Sequence, residues 1–180
     1  MIRWAYVNSE NDECRYVLGE IGKRNLVCIG VNPSKAKPDA LDPTAKRVKQ
    51  RAESLGYDGY LLINLYPQRA TDPDEMHSEE GFDRSIVEEN YAAISEVFAQ
   101  ESFDVWAAWG DLIQARGYLR ECLLTIYDVF SSAVKGSSSK WLRAGDLTKK
   151  GNPRHPLYLA SAAEMHEFDI LEYLYGTCGK

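Results

Sequence analysis

Asn32, Asn64 and His155 are the residues on which chemistry in this 180-residue chain could turn. Each sits in a short string that follows or closes an apolar, strand-like run: GVNPS at 30–34, LLIN at 61–64 and RHPLY at 154–158. VWAAWG at 105–110 lies between the last two. A side-chain amide carries both a donor and an acceptor, which suits the edge of a pyrimidine. It can also orient water, but it cannot take a proton as a carboxylate would. An imidazole is a donor or an acceptor near neutral pH, and Pro156 holds the His155 backbone extended. Around these three, Lys35, Arg69 and Arg154 are candidates for phosphate contacts, with Ser34 beside them as a substrate-binding hydroxyl. Tyr66 and Tyr158 offer aromatic faces on which a base could stack.

Such residues act together only if the fold brings the ends of separate strands to one edge. Residues 26–31, 60–65 and 103–109 are continuous apolar runs of strand length, as expected for strands covered on both faces. Residues 3–7 and 14–21 alternate loosely and predict an amino-terminal hairpin around 8–13. Asp42-Pro43 reads as a helix start, with Ala45, Val48, Ala52 and Leu55 as the apolar stripe and Gly56 as the stop. A second helix is expected over about 80–99. A third, capped by Asp111, carries Leu112, Ala115, Leu119, Leu123 and Ile126. Residues 127–139 are the least readable and end in a serine turn at 137–139. A further strand is expected at 141–147. Ser161 and Glu164 form a capping box ahead of a last helix with Phe168, Leu171 and Leu174.

Strands alternating with helices give a mainly parallel sheet of four to five strands between helices on both faces, a three-layer α/β/α sandwich. In such sheets the ligand site lies at the carboxyl ends of the strands. One domain is expected over 1–180, divided into an edge element at 1–24, a motif-bearing core at 25–160 and a helix at 161–176. The first turn is neither a dinucleotide fingerprint nor a phosphate loop.

Composition narrows the function classes. The content is 44% apolar and 11% aromatic, which fits a globular protein. No apolar run approaches a membrane span, and the amino terminus lacks the blocks of a signal peptide, so a cytoplasmic location without membrane partners is expected. Cys14, Cys28, Cys122 and Cys178 show no paired spacing; packed, reduced thiols follow, with neither metal nor cofactor. Asp39, Asp42 and Asp72 could recruit a hard cation only by converging. The net charge of −6 argues against a general grip on nucleic acid. It hides an asymmetry, however. Residues 35–51 and 140–154 each carry net +4, whereas residues 72–104 carry net −10. The two basic stretches adjoin the first and last motifs and point to an anionic ligand; solvated faces are the plain alternative.

The stretches GVNPSKAKPDALDPTAKR, NLYPQRATDP, VWAAWG and LTKKGNPRHPLYL resemble the bacterial family called domain of unknown function 1643, over most of residues 26–159. The family pattern reads asparagine-leucine-phenylalanine where this chain has Asn64, Leu65 and Tyr66. More distantly, the motif order is similar to that of the uracil-DNA glycosylase superfamily. That resemblance implies the glycosylase-like sandwich, with Asn32 at the water position, Asn64 at base recognition and His155 at the leaving group. Trp109 and Gly110 would be structural. Breaking an N-glycosidic bond leaves negative charge on the base, which a donor must stabilise. The chain departs from the pattern in having no carboxylate in its first motif and no serine-rich, wedge-bearing last loop.

Three readings follow: a glycosylase-like hydrolase, a module that binds a nucleobase, nucleoside, nucleotide or nucleic-acid end without cleaving it, and an interaction protein using the acidic helix at 80–99. The residues also have plain alternatives. Asn32 and Asn64 could bond turn backbone, His155 could tie two loops, Asp72 could start a helix, and Arg69 could pair with Asp72. Asn90, Trp106 and Trp109 read as structural, and His77 and His166 as surface residues. The oligomeric state is not legible.

Overall fold

The computed structural model describes residues 3–99, 102–134 and 138–176. Cys178 and Ser137, singled out above, lie outside the described residues. Strands β1 (Arg3–Asn8) and β2 (Arg15–Ile21) form the expected hairpin, followed by β3 (Asn25–Gly30), helix α1 (Pro43–Ser54) and β4 (Gly59–Asn64). Then come α2 (Arg84–Phe98), β5 (Phe103–Ala107), α3 (Tyr118–Ala133), β6 (Trp141–Ala144), β7 (Met165–Glu167) and α4 (Ile170–Tyr175).

The strands make one seven-stranded sheet in the order β1-β2-β4-β3-β5-β6-β7. Its centre, β4-β3-β5-β6, is parallel, while β2 and β7 run opposite to it on either side and β1 pairs antiparallel with β2 at the border. The sheet is therefore wider than the four to five strands expected. The extra strands are the amino-terminal hairpin, which joins the sheet by pairing β2 with β4, and β7, whose three residues are too few to show a periodicity.

Alternation along the strands divides the core. Val27, Ile29, Leu61, Ile63, Val105 and Ala107 pack with α2 and α3. Leu26, Cys28, Leu62, Trp106 and Ala108 pack with Ala45, Val48 and Ala52 of α1. The α1 face is completed by the segment following β6, whose Leu159 and Ala163 join the same cluster. Arg47 donates to the carbonyls of Pro156 and Leu159, and Arg51 to those of Ala160 and Ala163, so α1 is stapled to that segment. Much of the basic run at 35–51 is consumed in this way, with Lys49 on Glu20 and Lys37 on Asp12.

Local chemistry explains the hits and the misses. Asp42 caps α1 through its Oδ1 and the Ala45 N–H, with Pro43 at the first helical position, and Gly56 ends the turn at φ 79°. Leu55, assigned to the buried stripe, is an exposed cap residue instead. Helix α2 begins only at Asp83, which caps it through the Ser85 N–H. Asp111 caps nothing: it lies in a 3-10 turn, Gly110–Gln114, and α3 starts later behind Gly117. The expected helix over 161–176 is split. Residues 165–167 pair with β6, and Asp169 rather than Ser161 caps the short α4. Cys14, Cys28 and Cys122 are buried and free. Among the described residues no helix is long and apolar enough to cross a membrane.

One irregularity matters for the site. Val7 pairs with Val17 but Asn8 pairs with Arg15, so Tyr16 is an extra residue in β2. A bulge of this kind inverts the side-chain alternation beyond it. Tyr16 and Val17 consequently both face the α2 layer, where Tyr16 Oη bonds Glu89, and Arg15 is turned onto the α1 side, where it reaches Ala36.

Candidate functional site

The carboxyl ends of β4, β3 and β5 and the amino end of antiparallel β2 meet at one edge, as strand order and register require. Asn64 ends β4. It lies two residues beyond Leu62 and so projects to the α1 face. It is buried at 5% exposure, and its Nδ2 has no hydrogen-bond partner among the described residues. Gly30 is its register neighbour on β3, and only the missing side chain there leaves room for the amide. The Asn64 carbonyl accepts from Asn90 Nδ2 at 2.9 Å, so Asn90 is the structural hydrogen-bonder its sequence position suggested.

His155 comes to the same edge from the last loop. Its Cβ lies against Gly110, just beyond β5, and Gly110 N donates to the Pro153 carbonyl at 2.8 Å. His155 Nδ1 accepts from the Leu157 N–H at 3.4 Å, which assigns the proton of the neutral ring to Nε2. Burial pushes its pKa down to about 4, opposed by the charge of Asp42. The ring is therefore a neutral donor at physiological pH, with Nε2 free of any partner among the described residues.

Asp42 links the parts. Its Oδ1 caps α1 and its Oδ2 accepts from Ser34 Oγ. Its charge favours the cationic forms of both His155 and Arg15, so it lies near both. Ser34 is thus bound to the α1 cap.

Asn32 is a clamp between loops. Its Nδ2 donates to the Ala70 carbonyl at 2.7 Å, and Ala70 N donates to the Pro33 carbonyl at 3.0 Å. No described residue donates to its Oδ1, which leaves one acceptor for water. Arg69 is also committed to the protein. It donates to the carbonyls of Ser34 and Ala36, to Tyr6 Oη and to Asp12 rather than Asp72. Asp72 instead caps a 3-10 turn, Pro73–Glu75. Arg154 is held to the carbonyls of Asp146 and Leu147. Lys35 is exposed and shares with Arg69 the lining of two open clefts of about 580 and 610 Å³.

The two tyrosines separate. Tyr66 is buried among Phe82 and Tyr118, bonds His77 Nδ1 through Oη at 2.6 Å, and has burial pushing its pKa up to about 12. It offers no face to a ligand, and His77 is its partner rather than a surface residue. Tyr158 is 78% exposed, with its ring centroid 5.9 Å from that of His155, so it stands at the rim. Trp106 and Trp109 are core residues. Asp111 accepts from Thr148 Oγ1 at 2.5 Å and Asn152 Nδ2 at 2.8 Å, which fixes the last loop. No group of three or more metal-ligating side chains forms among the described residues.

Sequence reasoning passed over Arg15. It is only 2% exposed; its backbone N–H goes to the Pro67 carbonyl, and its guanidinium bonds the Ala36 carbonyl through Nη1 at 3.2 Å. Its Nε is buried with no partner among the described residues. The available signal was a lone charge inside an apolar strand; its direction depended on the bulge.

Fold and site together define an α/β protein of three layers with unspent polar groups at the carboxyl edge of its parallel centre. The chain belongs to the family described as Protein of unknown function (DUF1643), which matches residues 15–157. No curated protein and no solved structure matches it. The likeness to uracil-DNA glycosylases therefore has no structural neighbour behind it and rests on motif order.

Proposed function

We propose that this protein recognises a nucleobase or nucleotide at the carboxyl edge of β4, β3 and β5, on the α1 side, and that the site is equipped to assist N-glycosidic hydrolysis. The observation that carries this reading is the buried Asn64 amide with an unpartnered Nδ2. Buried polar atoms are almost always paired, so an open amide at a strand end calls for an acceptor from outside, such as a base carbonyl. His155 supports the reading as a neutral ring whose Nε2–H can donate to a base that leaves with negative charge. Asn32 adds an acceptor for a water, but no proton-accepting carboxylate is anchored in that loop. Stabilising the leaving group would then carry more of the catalysis than activating the water.

The test is a melting-temperature panel of bases, nucleosides and nucleotides, because a ligand that binds only the folded chain raises its melting point. Asn64→Ala should abolish the response to bases and nucleosides; an unaltered response removes Asn64 from the site. Release of free base from a labelled nucleotide, lost in His155→Ala, identifies hydrolysis. Binding without release favours the second reading, a non-catalytic module. The commitment of Asn32 Nδ2 to the Ala70 carbonyl argues for that reading.

A further inference from the structure

We propose that Arg15 and Arg69, beneath the loop of residues 34–37, form a phosphate-binding subsite, so that the ligand of this protein carries a phosphate. The inference deepens the nucleotide reading and rests on it for the base, though the subsite stands on separate residues.

A guanidinium has five N–H donors and stays charged, so burying one without an anion is costly. Arg15 is buried with a single neutral acceptor, the Ala36 carbonyl. Burial and the charge of Arg69 both disfavour the Arg15 cation, and Asp42 and Tyr6 oppose them. Both oxygens of Asp42 are already taken by Ser34 Oγ and Ala45 N. Arg69 has a side-chain exposure of 9% and, like Arg15, a buried Nε with no partner among the described residues. Asp12 is shared between Arg69 and Lys37. Arg15, Lys35, Lys37 and Arg69 meet Asp12, Glu13, Asp42 and Asp83 around this loop and its cleft, but none of those carboxylates bonds Arg15.

Two guanidiniums converge on one backbone loop. Arg69 Nη1 holds the carbonyls of Ser34 and Ala36, and Arg15 Nη1 holds that of Ala36 as well. Those neutral carbonyls occupy places where charged oxygens would be better acceptors, since an anion adds charge attraction and can accept two parallel N–H bonds from one guanidinium. The loop is a small unit closed by reciprocal bonds between Lys37 and Ala40, and the cleft beside it is lined by Lys35, Lys37 and Arg69 together with Asp12, Glu13 and Asp83, with Arg15 beneath that lining. A phosphate arriving through that cleft would replace the Ala36 carbonyl and satisfy the unpaired Nε groups. The β2 bulge is what turns Arg15 toward this loop.

The experiment is calorimetric titration of the whole chain with inorganic phosphate, with chloride matching the ionic strength, alongside melting curves. Wild type should bind phosphate, and Arg15→Met should bind it roughly 10- to 100-fold more weakly. Without phosphate the Arg15→Met chain should melt no lower than wild type, because an unpaired buried charge has been removed. Absence of phosphate binding by wild type, or equal binding by Arg15→Met, overturns the proposal. Should Arg15→Met fail to fold, Arg15→Lys must weaken phosphate binding in a folded chain, and equal affinity again overturns it. Asn64→Ala should keep the phosphate response. A pyrimidine nucleoside that fails to bind wild type while phosphate succeeds would remove the base reading and leave the subsite standing. Comparing a nucleoside 5′-monophosphate with a 5′-phosphorylated oligonucleotide then distinguishes a free nucleotide from a strand end.

Discussion

Gly30 stands opposite Asn64 in the parallel register of β3 and β4, and a Cβ placed on it would lie 3.0 Å from Asn64 Oδ1. At that distance the amide must give by a few tenths of an ångström. Gly30→Ala should therefore displace Asn64 and weaken the response to nucleosides. Stability should change by less than about 1 kcal/mol, because relief of glycine's chain entropy offsets the crowding. Paired melting curves with and without nucleoside check both halves; an undiminished response would mean that the Asn64 side chain does not bind.

His155 gives the protein a defined acid sensitivity. Its folded pKa is about 4, because burial pushes it below the 6.5 of a free imidazole. Between those values the unfolded chain holds the proton and the folded chain does not, so acid favours unfolding. The contribution of this residue is fully present above about pH 6.5 and is lost as pH falls to about 4, for a total of about 3 kcal/mol. Denaturant melts of wild type and His155→Leu at pH 7.5, 5.5 and 4.5 should converge as the pH falls. Parallel curves would show that the ring is not desolvated.

Tyr66 separates core from site. Its hydroxyl bonds His77 Nδ1 and accepts from the Asp83 N–H at the start of α2. Tyr66→Phe should cost about 1 kcal/mol, the net value of a hydrogen bond, and leave ligand binding unchanged. Weakened nucleotide binding in a stable Tyr66→Phe chain would return this ring to the site.

The pattern of what was legible follows from the range of the interactions. The buried strands β3, β4 and β5 and the Asp42-Pro43 start of α1 are written locally, in apolar runs and a capping side chain, and they stand as read. Asp111 looked like a cap for the same local reason, but Asn152 and Thr148, some forty residues away, claim its carboxylate. The split of the last helix also has a distant cause, since β7 exists only because β6 has a free edge. At the site, sequence order brought Asn32, Asn64 and His155 to one edge, but it could not show that Ala70 holds Asn32 or that Arg69 is spent on Ser34, Tyr6 and Asp12. Arg15 was hidden by geometry: simple alternation would have left it on the Val17 side, and one extra residue reversed it.

The pairing of β2 with β4 is therefore a requirement of the proposed phosphate subsite as well as of the sheet. Gly19 lies opposite Leu61, and a Cβ there would come within 2.0 Å of the Tyr60 carbonyl and 2.8 Å of Leu61 Cα. Both are backbone atoms that cannot swing aside. Gly19→Ala should then push β2 away from β4, at a cost of about 3 kcal/mol, and lower the melting point by roughly 10 °C. Because Arg15 rides on the same strand, phosphate binding should weaken along with stability, whereas Tyr66→Phe should lower stability alone. A Gly19→Ala chain that melts like wild type would show that β2 does not press against β4 this closely. The strand could then not be the element that fixes Arg15 beneath the loop.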